Sequence, residues 1–170
     1  STDMVGALQT VVKEFTGRES DNSHKSVIYV GDGVSRAKLL GTDAYGKLVK
    51  ELVEQRVTVS SYGVGPQVNV PLLASLANHT GGVVLAPENK SAQQIGTALA
   101  SSVRATVAWP TKTEYPAEWK ETFPGVMPPL RADRDTILIG SLEGRDAGTL
   151  TVSVDVAGKS QELQWQLRPE

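Results

Sequence analysis

Two rhythms of apolar and polar residues run along the chain. Up to about Arg104 apolar residues recur with helical spacing, broken by short continuous apolar runs; beyond Arg131 they alternate with polar residues one by one. In the first part the spacing predicts a helix over Asp3–Phe15, with Met4, Val5, Leu8, Val11, Val12 and Phe15 on one stripe and Ser1 or Thr2 as its cap. A polar loop over Gly17–Lys25 leads into a strand over Ser26–Val30. There Val27-Ile28-Tyr29-Val30 runs without alternation into Gly31-Asp32-Gly33, which predicts a strand covered on both faces. Thr42–Gln55 follows as a helix, with Tyr45, Leu48, Val49, Leu52 and Val53 inward and Lys47, Lys50, Glu51 and Glu54 on the wet side. A strand over Val57–Tyr62 closes on Gly63-Val64-Gly65-Pro66. Asn69–Ala77 reads as a short helix with Pro71 in its first turn, stopped by Thr80-Gly81-Gly82. Val83–Ala86 is the next strand. Ser91 and Gln94 form a capping box for a helix carrying Ile95, Leu99 and Val103. Strands alternating with amphipathic helices imply a parallel sheet with right-handed crossovers.

After Arg104 the character changes. Thr106–Trp109 is a short apolar run, and Pro110, Pro116, Pro124, Pro128 and Pro129 punctuate a stretch that cannot hold a long helix. Thr136–Ile139 is apolar. Leu150, Val152, Val154 and Val156 alternate with polar residues, as do Leu163, Trp165 and Leu167, with Ala157-Gly158-Lys159-Ser160 as the turn between them. The fold class is therefore α/β: a doubly wound, mostly parallel sheet over residues 1–104, and a C-terminal antiparallel β unit over 105–170, the boundary falling near Arg104–Trp109.

Composition narrows the function classes. A net charge of −2 and a pI near 5.7 give no electrostatic reason to expect nucleic acid or an acidic membrane surface. The absence of cysteine excludes disulfides, thiolate metal sites and a cysteine nucleophile. No apolar run is long enough to span a bilayer. The chain opens at Ser1, and Ser1-Thr2-Asp3 already reads as a helix start, which points to a processed or excised piece of a longer protein.

Asp32 stands just past the carboxyl end of its strand, the rim where open α/β sheets place ligands. Its flanking glycines permit a sharp turn and close backbone approach. At this point the order of motifs resembles a family. Ser1-Thr2-Asp3 before a helix, the strand with Gly31-Asp32-Gly33, Thr58–Gly65 (T-V-S-S-Y-G-V-G) and Leu76-Ala77-Asn78-His79-Thr80-Gly81-Gly82 are together similar to the later half of a von Willebrand factor A domain, over roughly Ser1–Val103. The resemblance implies a sheet truncated on its N-terminal side. It also implies a non-catalytic protein-binding or adhesion-type module engaging a partner's acidic group through one Mg²⁺ or Mn²⁺. By position Thr2 corresponds to the family's metal-binding threonine and Asp32 to its aspartate. The family's D-x-S-x-S does not occur here, so the piece as given is expected to hold no cation. A-type domains are sometimes inserted into a β-sandwich, which the C-terminal hairpin fits. The family occurs on cell surfaces and inside cells; the expectation here is outside the cytoplasm or at the cell surface.

Each residue also has a plainer reading. Asp32 between glycines serves equally as a turn former, and Thr2 as a helix cap. Asp3 suits a helix N-terminus, and Ser35 a loop. His24 and His79 have no ligand spacing, and Trp109, Trp119 and Trp165 suit packing. An enzyme reading starts from the likeness of G-D-G to the Mg²⁺-binding acidic motif of haloacid-dehalogenase-type phosphohydrolases. Here Val34, Ser35 and Arg36 follow it, no D-x-D precedes it, and Asp133-Arg134-Asp135 has that spacing in the wrong context. A third reading is a structural spacer whose metal site is lost. Finally, without the family's first strand, Val27–Val30 becomes a sheet edge with no proline or internal lysine to protect it. It is expected to be covered by a segment of the same chain, another copy, or an upstream fragment.

Overall fold

A computed structural model describes residues 3–16, 24–34, 41–86, 90–143 and 148–167. The chain divides into two compact units, Ser1–Ala105 and Thr106–Glu170.

The first unit is α/β. Its sheet has the order β1 (Lys25–Gly31), β2 (Val57–Gly63), β3 (Val84–Leu85), all parallel. Helix α1 (Met4–Phe15) is capped by Asp3, whose Oδ1 accepts the Gly6 N–H at 2.9 Å; Ser1 and Thr2, expected as caps, lie outside the described residues. Helices α1, α2 (Thr42–Glu54) and α3 (Val70–Thr80) bring Met4, Leu8, Leu48, Leu52, Leu73 and Leu76 onto Val57 and Val59, with Val27 and Tyr29 beside them. On the other face α4 (Ala92–Arg104), which carries the expected Ser91–Gln94 capping box, sends Ser102 to Ser60 of β2. The expectation that β1 is covered on both faces is corrected here. Ile28 is 42% and Val30 59% exposed, because α1–α3 pack on the Val27–Tyr29 side and the opposite side has no comparable cover among the described residues.

Helix α3 runs to Thr80, past the expected end at Ala77. The Thr80 hydroxyl donates to the Leu76 carbonyl at 2.7 Å and accepts the Val59 N–H at 3.1 Å, so this polar side chain continues the helix while it ties the last turn to β2. The following Gly82 lies against β2 so closely that a Cβ there would stand 1.8 Å from the Val59 carbonyl oxygen. The helix ends at Gly81, whose left-handed backbone at φ 72 caps it, and β3 is only two residues long, shorter than the expected Val83–Ala86.

The second unit contains an antiparallel sheet ordered β6 (Leu130–Arg131), β4 (Val107–Glu114), β8 (Thr149–Val156), β9 (Lys159–Gln166), and a two-stranded ribbon of β5 (Trp119–Phe123) and β7 (Ile139–Leu142). Leu150, Val152 and Val154 on one face of β8 are buried with Met127, against Leu130, Leu138 and Leu163. Ala157 and Gly158, both at positive φ, make the two-residue hairpin turn between β8 and β9. Strand β4 takes in Val107–Trp109 of the apolar run and runs on to Glu114. Its ladder with β8 shifts between Pro110 and Lys112, which accommodates the proline's missing donor. The ribbon is held by Trp119, whose indole lies over Gly140 where no Cβ could fit, and by an edge-on contact of Tyr115 with Trp119.

Candidate functional site

Asp32 sits at the carboxyl end of β1 as expected, and its loop is fastened from several sides. Its Oδ1 accepts the Val34 N–H at 2.9 Å, and its own carbonyl accepts the Asn69 N–H at 2.7 Å. The Gly31 carbonyl accepts the Val64 N–H at 3.1 Å, which joins this loop to the one after β2. The Tyr29 hydroxyl accepts the Gly33 N–H at 3.2 Å. Gly33 has φ +72 and packs against Leu73, so both its backbone angle and its lack of a side chain are required. Asn69 caps α3 through its Oδ1 on the Leu72 N–H. The result is a rim whose two loops are bonded to each other, with Asp32 partly buried and Val64, Pro66 and Val70 exposed.

Sequence reasoning found Asp32 but missed Asn69, Tyr29 and Val64 as its neighbours. Asn69 ahead of Pro71 was readable as a cap; that its N–H reaches Asp32 depends on the parallel pairing of β1 with β2. Thr2 and Ser35 lie outside the described residues, so their relation to Asp32 is not given by the structure. Asp3 is a helix cap. His79 Nδ1 lies 2.7 Å from the Ser75 carbonyl, with its ring edge-on to Tyr45. The Tyr45 hydroxyl donates to Ser75 Oγ at 2.8 Å, and burial raises its pKa above the ordinary phenol value. This cluster bridges α2 and α3, away from Asp32 in the sequence and in its bonding.

Among the described residues no three His, Cys, Asp or Glu side chains gather as metal ligands. Asp32 offers one carboxylate, and one of its oxygens is already engaged by Val34. Mg²⁺ demands near-octahedral oxygen coordination, so the described donors do not make up a cation site. Asp133, of the D-x-D-spaced triplet, is paired with Arg131, through Nε to Oδ1 at 2.7 Å and Nη2 to Oδ2 at 2.6 Å. The Arg131 side chain is fully buried and that of Asp133 is half exposed. This pairing holds the Asp133 carboxyl below its ordinary pKa. No described helix is long and apolar enough to cross a membrane.

No family model matches the sequence, and comparison with curated proteins finds no match. Solved structures do match. The human COPII-coat protein Sec24c aligns over 99% of this chain at 16% identity with a TM-score of 0.67. The von Willebrand factor type A protein from Catenulispora acidiphila aligns over 99% at 14% identity with a TM-score of 0.61. The fold is von Willebrand factor A-like. The chain spans 29% of the first of those chains and 46% of the second. The ArnB paralog VWA2 from Sulfolobus acidocaldarius aligns over 98% of this chain at 17% identity with a TM-score of 0.49. For this vWA-like chain the likeness lies in the fold, and the Asp32 rim occupies the carboxyl end of its parallel sheet.

Proposed function

We propose that this vWA-like chain is part of a non-catalytic protein-binding module, and that the rim around Asp32 is its recognition surface. The observation that carries this reading is the cross-linking of the two rim loops through Gly31–Val64 and Asp32–Asn69. A surface already rigid before contact loses little conformational freedom on binding. It presents exposed Val64, in the loop bonded to Gly31, and exposed Val70, next to the Asn69 that bonds Asp32. The metal-bridged form of recognition, in which a partner's acidic group shares Mg²⁺ or Mn²⁺ with Asp32, needs donors beyond the described residues.

Phosphohydrolase chemistry finds less support, because Val34, Ser35 and Arg36 follow Gly31-Asp32-Gly33 and no D-x-D precedes it. A phosphomonoester screen of the chain is expected to show no turnover abolished by Asp32→Asn. The binding reading is tested by affinity capture with the longest natural chain that contains these residues, comparing Val70→Asp and Asp32→Ala with the parent. Loss of one defined protein partner in both variants supports it. A partner retained equally by both contradicts it. Repeating the capture with chelator separates direct recognition, which survives, from the metal-bridged form, which does not.

A further inference from the structure

The backbone of Gly31-Asp32-Gly33 is held at three successive residues, each by a different part of the first unit. The Gly31 carbonyl accepts the Val64 N–H, the Asp32 carbonyl accepts the N–H of Asn69 at the cap of α3, and the Tyr29 hydroxyl accepts the Gly33 N–H. The first two bonds join backbone groups, which almost any residue at those positions supplies. The third depends on one side chain. Tyr29 packs against the core on the helix-covered side of β1, and its ring runs along the strand past Gly31. A Cβ at Gly31 would stand 2.6 Å from the Tyr29 hydroxyl oxygen and 2.9 Å from Cζ, so the phenol fills the space of a side chain at 31. Gly33 is buried, and its N–H without an acceptor would carry the cost of an unmade hydrogen bond. A phenylalanine ring fills the same space on the sheet; the hydroxyl alone reaches the loop.

We infer that Tyr29 is the positioning residue for the Asp32 carboxylate, acting through Gly33. Asp32 Oδ1 accepts the Val34 N–H at 2.9 Å, a turn that places the carboxylate only while the residue between keeps its backbone angles. That residue is Gly33 at φ +72, and a glycine leaves such a conformation readily unless it is held. Leu73 fills the space on its side-chain side and Tyr29 takes its N–H, so the phenol fixes the angle on which the carboxylate depends. With Oδ1 held in the turn, the direction of Oδ2 is set as well. This deepens the recognition reading of the rim and rests on that reading for its functional meaning; the positioning itself is measurable without a partner.

Amide exchange of the isotope-labelled full chain, followed residue by residue by NMR, tests it. The Val34 N–H is the reporter, because its acceptor is Asp32 and not Tyr29. Tyr29→Phe is expected to speed exchange about tenfold at Gly33 and about fivefold at Val34. Val59 and Ser61, whose N–H groups bond to Thr80 and Val83, are expected to stay as slow as in the parent. Gly31→Ala leaves Tyr29 in the sequence but displaces its phenol, and is expected to give the same pattern. Should Tyr29→Phe loosen Val59 and Ser61 as well, Gly31→Ala decides. Faster exchange at Gly33 with Val34 unchanged overturns the proposal, because the hydroxyl then holds its own bond and not Asp32. Unchanged exchange at both amides, or loss of protection at all four in both variants, overturns it in favour of a packing role. Partner capture with the same variants keeps the two readings apart: Val34 freed with capture unchanged supports the positioning and removes the rim as the recognition surface.

Discussion

In the first unit β2 lies between β1 and β3, and three helices seal Val57 and Val59 against Leu48, Leu52, Leu73 and Leu76. In the second, β8 lies between β4 and β9, and among the described residues the buried apolar side chains are Leu150, Val152, Val154 and Met127 with Val107 and Trp109 of β4, while Phe123, Val126, Ile137 and Ile139 stand exposed. The sequences of β2 and β8 are comparably apolar; the difference lies in what covers them. An amphipathic helix lays a broad apolar stripe along a sheet. The segment Met127–Leu138, interrupted by Pro128 and Pro129, covers β8 but leaves Trp165 of β9 partly bare. Coverage by helices makes the first unit a rigid platform for its rim, and partial coverage leaves the second unit with surface to offer.

That contrast can be broken by core truncation. Leu52→Ala, fully buried beneath α1 and β2, should cost about 3 kcal/mol in urea unfolding monitored for the first unit, whereas Ile139→Ser on the exposed ribbon face should change stability by no more than about 0.5 kcal/mol. Equal losses would mean that the ribbon is more deeply packed than its exposure indicates.

Two glycines sharpen the picture within the first unit. Gly82→Ala drives a Cβ into the Val59 carbonyl and should cost about 2 kcal/mol, while Gly96→Ala, in α4 with open space around it, should stabilise by about 0.5–1 kcal/mol. Thermal unfolding of both variants checks this, and a neutral Gly82→Ala would contradict the tight α3–β2 junction.

In the second unit the Arg131–Asp133 pair sets an acid limit. Because the folded carboxyl pKa is lowered, the pair's contribution is present above the unfolded value of about 3.9 and is lost as pH falls through the lower folded value. With Asp133 half exposed, Asp133→Asn should cost about 1 kcal/mol at neutral pH and make stability less dependent on pH below 3.9 (about the unfolded carboxylate value). Denaturation curves at neutral and acidic pH read both effects.

Most of the fold class was legible because the two periods are physically distinct. Leu48, Leu52 and Val53 can share a face only on a helix, and Leu150, Val152 and Val154 only on a strand. The uncovered face of β1 was not legible, because Ile28 and Val30 are as apolar as Val27 and Tyr29 and composition does not say which side a helix takes. Strand β4 was hidden by Pro110, and β5 by its register shift, with Glu121 at φ 50, which breaks alternation. Of the candidate site, Asp32 was legible from Gly31-Asp32-Gly33 alone, whereas Asn69 and Val64 reach it only through long-range pairing.

Site-specific photo-cross-linking compares the two units directly as binding surfaces, with the reactive group placed at Val64 on the rim or at Val126 in the second unit, in the longest natural chain. The account predicts that a partner protein is trapped from position 64 and that Asp32→Ala abolishes the trapping. Trapping of that partner from position 126 alone, unchanged by Asp32→Ala, would contradict it.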